Sequence, residues 1–119
     1  MNKDEMKLRT KRFALQIIKL IEALPKRQTA EIIGRQLLRA GTSVGANYRA
    51  ACRAKSSKDF ISKMSIVEEE LDESMYWMEL LVESGNSESN KINALMKESD
   101  ELLAITVSSI KTARRRENA

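Results

Sequence analysis

The densest run of reactive side chains is Glu68-Glu69-Glu70-Leu71-Asp72-Glu73. Glu69 and Glu73 stand four residues apart, so on a helix they share a face. Carboxylates placed this way in a helical bundle can hold a pair of metal ions, but such sites complete their ligand set with Glu-x-x-His motifs. The chain contains no histidine. That removes the usual dinuclear site, the Ser-His-Asp and Cys-His nucleophiles, and the common proton shuttle near neutral pH. There is also no glycine-rich phosphate loop. No catalytic residue, metal ligand or cofactor is assigned, and an enzyme is not expected. The carboxylates read instead as a solvated face, or as partners for arginines on a neighbouring helix, with Arg49 and Arg53 expected to meet Glu69 and Glu73.

The second chemistry is cationic. Arg35, Arg39, Arg49, Arg53 and Lys55 follow one another along one segment. Lys7, Arg9, Lys11 and Arg12 lie upstream, and Arg114-Arg115-Arg116 close the chain. Guanidinium and ammonium groups in this number suit a phosphate backbone, and no base-reading motif accompanies them. The charge is uneven. Residues 1–56 carry 13 Lys/Arg against 4 Asp/Glu, and residues 57–119 carry 8 against 13, giving +9 and −5 within a net +4. Such asymmetry marks a nucleic-acid surface, or basic and acidic helices that neutralise each other. Tyr76-Trp77 could stack bases, but with five aromatics in all core or interface packing is the better expectation. Cys52 sits among apolar neighbours and reads as a small buried hydrophobe. Asn47, with Ser43 four residues earlier, falls on an apolar seam and is expected to be a polar core contact that sets register or oligomeric state.

These residues need rigid elements, and the apolar periodicity supplies four. Helices are predicted over about 6–24, 27–55, 58–84 and 88–114. In the first, Phe13, Ile17, Leu20 and Leu24 keep helical spacing. Ala14, Leu15, Ile18 and Ile21 widen its stripe beyond the need of one buried face, which implies a second face against another subunit. Leu24-Pro25 ends it. The second follows Ile33, Leu37, Ala40, Val44, Asn47 and Ala51, and Gly41 and Gly45 in its middle imply a kink or a close approach. Ser56 and Asp59 form a capping-box pattern before the third. There Phe60, Met64, Val67, Leu71, Ser74, Met78 and Leu81 alternate steps of four and three. Gly85 stops that helix. Ser87 is the expected N-cap of the fourth, whose seam is Ile92, Leu95, Ser99, Leu102, Thr106, Ile110 and Ala113, and the residues after Arg114 are expected to fray.

A chain of 119 residues, 42% hydrophobic and 32% charged, is one domain's worth of globular protein. Four long helices with short connections read as an all-α, antiparallel up-down-up-down four-helix bundle occupying residues 1–119. One cysteine excludes an intrachain disulfide. No run approaches a membrane span, and a cytoplasmic location is expected.

Three stretches carry a family resemblance: Leu37-Leu38-Arg39-Ala40-Gly41-Thr42-Ser43-Val44-Gly45-Ala46-Asn47-Tyr48-Arg49, then Ala54 to Phe60, then Glu68 to Ser74 with Tyr76-Trp77. Over about residues 9–112 the chain resembles the bacterial four-helix-bundle family also known as the 23S rRNA intervening sequence proteins, which is related to the accessory protein of diversity-generating retroelements. The resemblance implies a left-turning antiparallel bundle that assembles as a homopentamer, and as partners RNA, other nucleic acid or a nucleic-acid-processing protein. Many relatives carry a glutamate where this chain has Ala50, so a polar site using that glutamate is not carried over. The expected function is a non-enzymatic, oligomeric RNA-binding bundle. The alternative is a protein–protein scaffold whose basic charge only balances the acidic third helix.

Overall fold

The structure, a computed structural model, describes residues 1–118. Four α-helices account for nearly all of it: α1 (Lys3–Glu22), α2 (Gln28–Cys52), α3 (Ser57–Glu83) and α4 (Ser89–Asn118). No strand occurs among the described residues. At about 1.5 Å per residue α3 is some 40 Å long, in keeping with principal extents of 51 × 21 × 19 Å.

Local chemistry sets the helix ends. α1 begins at Lys3 rather than near residue 6, because the Asn2 side chain accepts the Glu5 N–H at 2.9 Å and donates to the Glu5 carboxylate at 2.9 Å. This reciprocal cap satisfies donors that would otherwise be orphaned. α1 ends at Glu22, two residues before the Leu24-Pro25 stop. Ser56 caps α3 through the Asp59 N–H at 3.0 Å, as its spacing predicts. Gly85, at φ 76°, ends α3. The Asn86 and Gly85 N–H groups bond back to the Leu81 and Val82 carbonyls at 2.9 and 3.0 Å, a Schellman turn. Two expectations are corrected at α4. It begins at Ser89, so the residue in the N-cap position is Glu88 and not Ser87, and it continues to Asn118 instead of fraying after Arg114.

Each helix turns one stripe inward. Met6, Thr10, Phe13, Ile17 and Leu20 come from α1; Leu37, Ala40, Val44, Tyr48 and Ala51 from α2; Met64 to Leu81 from α3 at the predicted seam; and Ile92 to Ile110 from α4. α1 packs on α2 and α4, and α3 packs on α2 and α4. α2 is unbroken. Its glycines serve close approach rather than a kink. A Cβ at Gly41 would lie 3.0 Å from Ile17 Cγ1, and one at Gly45 would lie 3.3 Å from Thr10 Oγ1.

The core also takes in hydroxyls. Thr10, Ser74 and Thr106 donate to the carbonyls of Met6, Glu70 and Leu102 at 2.9, 2.7 and 2.8 Å, closing their polar groups within their own helices. No helix among the described residues is long and apolar enough to cross a membrane.

Candidate nucleic-acid interface

Connectivity decides which charges meet. α2 and α3 are joined by the four residues between Cys52 and Ser57, so residues equally far from that turn face each other. Arg39 lies thirteen residues before Cys52, and Glu70 lies thirteen after Ser57. Arg39 Nη1 donates to Glu70 Oε2 at 3.1 Å, and its Nη2 donates to Glu73 Oε1 at 2.6 Å. The Trp77 indole N–H donates to the same Glu73 oxygen at 3.1 Å. The hydrogen bond from Arg39 holds the Glu73 carboxyl below its ordinary pKa against the opposing effect of burial, and the Trp77 bond adds to the lowering. The Arg39 guanidinium is raised in turn, first by its bond to Glu73.

This corrects the expected pairing of Arg49 and Arg53 with Glu69 and Glu73. Arg49 is three residues from the end of α2 and Arg53 caps it, so both sit beside the start of α3. Glu69 and Glu73 lie more than ten residues further along α3, and Glu69 is exposed. Among the described residues no group of three or more acidic or cysteine side chains could hold a metal ion. Asn47 and Ser43 are likewise corrected. They are half-buried on the edge row that begins at Arg39, while Val44 and Tyr48 take the core. Asn47 Nδ2 donates to the Ser43 carbonyl at 2.9 Å, and Ser43 Oγ donates to the Arg39 carbonyl at 2.7 Å. Both are satisfied within α2 and make no polar contact across the core.

The remaining predicted cations divide by position. Arg35 is exposed on α2 and lines a shallow apolar recess with Ile21, Leu24 and Leu38. Lys55 lies in the α2–α3 turn, where its backbone N–H donates to Asp59 at 3.2 Å. Arg49 lines a groove between α1 and α2 together with Lys7 and Lys11 of α1, over a floor of Thr10, Ala14, Thr42, Gly45 and Ala46. Among the described residues none of these three cations is in a salt bridge. Arg9, two residues from Lys7 and so on a different side of α1, is instead locked to α4. It binds Glu98 through two nitrogens at 2.7 Å and Glu101 at 3.0 Å, and the Glu98 bond leads the rise in its pKa. Reading α2 alone missed this groove. The small residues at 14, 42, 45 and 46, which let two basic helices approach, were its signal.

The outer face of α3 is the opposite in character. Glu69, Asp72, Tyr76, Glu79 and Glu83 form an exposed row at helical spacing. α3 as a whole carries eight carboxylates against Lys58 and Lys63.

Fold and charge together define an all-helical four-helix bundle with one basic and one acidic side. The chain belongs to the 23S rRNA-intervening sequence protein family, whose model matches residues 3–108. Among solved structures it is similar to a protein of unknown function from the S23 ribosomal protein family of Bacteroides thetaiotaomicron. The two share 34% identity over 93% of this chain and 99% of that one, with a TM-score of 0.86. No curated protein matches the chain.

Proposed function

We propose that this protein is a non-enzymatic subunit of a homo-oligomer, a pentamer by family resemblance, that holds RNA through its basic α1–α2 face in the bacterial cytoplasm. The observation that carries this reading is the groove lined by Lys7, Lys11 and Arg49, none of which is in a salt bridge among the described residues. Arg9 and Arg39, by contrast, are taken up by Glu98, Glu101, Glu70 and Glu73. Unpaired cations lining one groove can neutralise successive phosphates, and repetition around an oligomer multiplies the field. The up-down-up-down order belongs to the same proposal, supported by the short connections and by α1 packing on both α2 and α4. Oligomerisation is supported by Leu8, Leu15 and Ile32, which are 48%, 50% and 50% exposed in the single chain.

Titration of single-stranded RNA at two salt concentrations tests the binding. Three phosphate contacts per subunit give a log–log slope of affinity against salt of about −2 or steeper, from roughly −0.7 per contact. A protein that retains no RNA at low salt leaves the scaffold reading. The acidic row on α3 around Tyr76, which is 54% exposed, would then be the surface to which a basic partner docks.

A further inference from the structure

A second site lies at the end of the bundle, about one helical turn beyond the α1–α2 groove and lined by different residues. α1 and α3 begin there, α2 ends there, and α4 passes with its last turns. Between them is a cleft of about 590 Å³, within the range of small-molecule sites. Its aromatic walls are Tyr48 and Phe60, Lys3 and Arg116 stand over it, and the serines 57 and 109 line it. None of the described residues lining it is a carboxylate, in a chain with 17 acidic residues. Neither Lys3 nor Arg116 is in a salt bridge among the described residues. The start of α3 at Ser57 adds the positive end of a helix dipole.

Tyr48 is only 8% exposed. Its hydroxyl makes no hydrogen bond to a nitrogen or oxygen of the described residues, and it is not a buried orphan. Its polar neighbour is the Cys52 thiol one turn on. Burial first, and then that thiol, push the phenol pKa upward. Tyr48 lines the cleft, so the small part of it that is exposed is available there.

The lining selects the ligand. A bare inorganic anion would leave two aromatic walls unused. A hydrocarbon chain would strip water from Tyr48 and the serine hydroxyls without replacing it. A molecule with a flat body, several hydrogen-bonding groups and one concentrated negative charge meets all three features. We propose that this bundle-end cleft binds a phosphorylated nucleoside, its base against Phe60 and the exposed edge of Tyr48 and its phosphate between Lys3 and Arg116. A free mononucleotide and the 5′-phosphorylated end of an RNA strand present the same chemistry. The site uses different residues from the groove, so it stands whether or not the groove binds RNA.

Equilibrium dialysis with AMP and UMP tests it on the intact protein. Saturable binding is expected. Lys3→Ala with Arg116→Ala, both exposed and outside the core, should weaken it about tenfold or more through loss of charge-assisted bonds to the phosphate. Tyr48→Phe, which removes one hydroxyl and keeps the ring, should weaken it roughly fivefold, the worth of one hydrogen bond, with an unchanged thermal midpoint for the double variant as the control on folding. A second arm compares 5′-phosphorylated with 5′-hydroxyl oligouridylate. A gain from the phosphate that Lys3→Ala/Arg116→Ala abolishes assigns the site to strand ends, and AMP or UMP saturation without that gain assigns it to the free nucleotide. Absence of both overturns the proposal, as does binding that both sets of substitutions leave unchanged.

Discussion

Arg39 sits at the middle of a network that ties α2 to α3 by charge, and its partner Glu73 gives a pH dependence of definite sign. The Arg39 bond lowers the Glu73 pKa in the folded protein. The stability this contributes is complete above the ordinary carboxylate range and is lost as pH falls through the lowered folded value. Arg39 is half exposed, so the pair is worth no more than about 1 kcal/mol. Glu73→Gln is therefore expected to lower the melting temperature only slightly at neutral pH, and to lose less of it on acidification than the parent. Trp77, the one tryptophan, reports the event directly, because its indole donates to Glu73. Its emission should shift as acid protonates Glu73 in the parent protein and stay flat over that range in Glu73→Gln. This network was half legible in the sequence. The acidic run and the arginine row were plain, but pairing across a turn is set by distance from the turn, and an error of about ten residues handed the carboxylates to Arg49 and Arg53.

At the scale of elements, α2 carries the closest packing. Its buried row is built from Ala30, Gly34, Leu37, Ala40, Gly41 and Val44, small enough for α1 to lie against it. Ile17 is fully buried and cannot swing away from a new methyl at position 41, where the contact would be 3.0 Å. Overpacking of this kind costs about 1–3 kcal/mol, against a gain of roughly 1 kcal/mol in helix propensity from glycine to alanine. Gly41→Ala should accordingly be less stable than the parent in urea unfolding, while an alanine at exposed Gln36 should be neutral within about 0.5 kcal/mol. The four helices and the α3 and α4 seams were legible because their apolar spacing is regular. The N-terminal start was not, since Asn2 acts through a cap with Glu5 outside the apolar pattern. The glycines were ambiguous, because a kink and a close approach leave the same mark in a single sequence. Asn47 was misplaced because one 100° step separates the core row from its edge.

At the scale of the whole molecule, charge and apolar surface are segregated. α1 and α2 hold nine cations against four carboxylates, and α3 holds the acidic row. Leu15 and Ile32 stand half exposed on α1 and α2. Since Leu15 adds little to the core of the single chain, Leu15→Glu should leave the fold and its melting intact while placing a charge in any subunit interface. Light scattering is expected to find an oligomer for the parent protein and smaller particles for Leu15→Glu. A monomeric parent would contradict the oligomeric part of the proposal.

The claim that the unpaired cations of the α1–α2 groove hold RNA is tested most directly by fluorescence anisotropy of a labelled single-stranded RNA at low and moderate salt. Three proteins are compared: the parent, Lys7→Ala/Lys11→Ala/Arg49→Ala, and Arg39→Ala. The triple variant should lose most of the affinity and about two units of the salt slope, whereas Arg39→Ala, whose charge Glu70 and Glu73 already neutralise, should bind nearly as the parent does. Equal loss in both variants, or none in the triple variant, would contradict it.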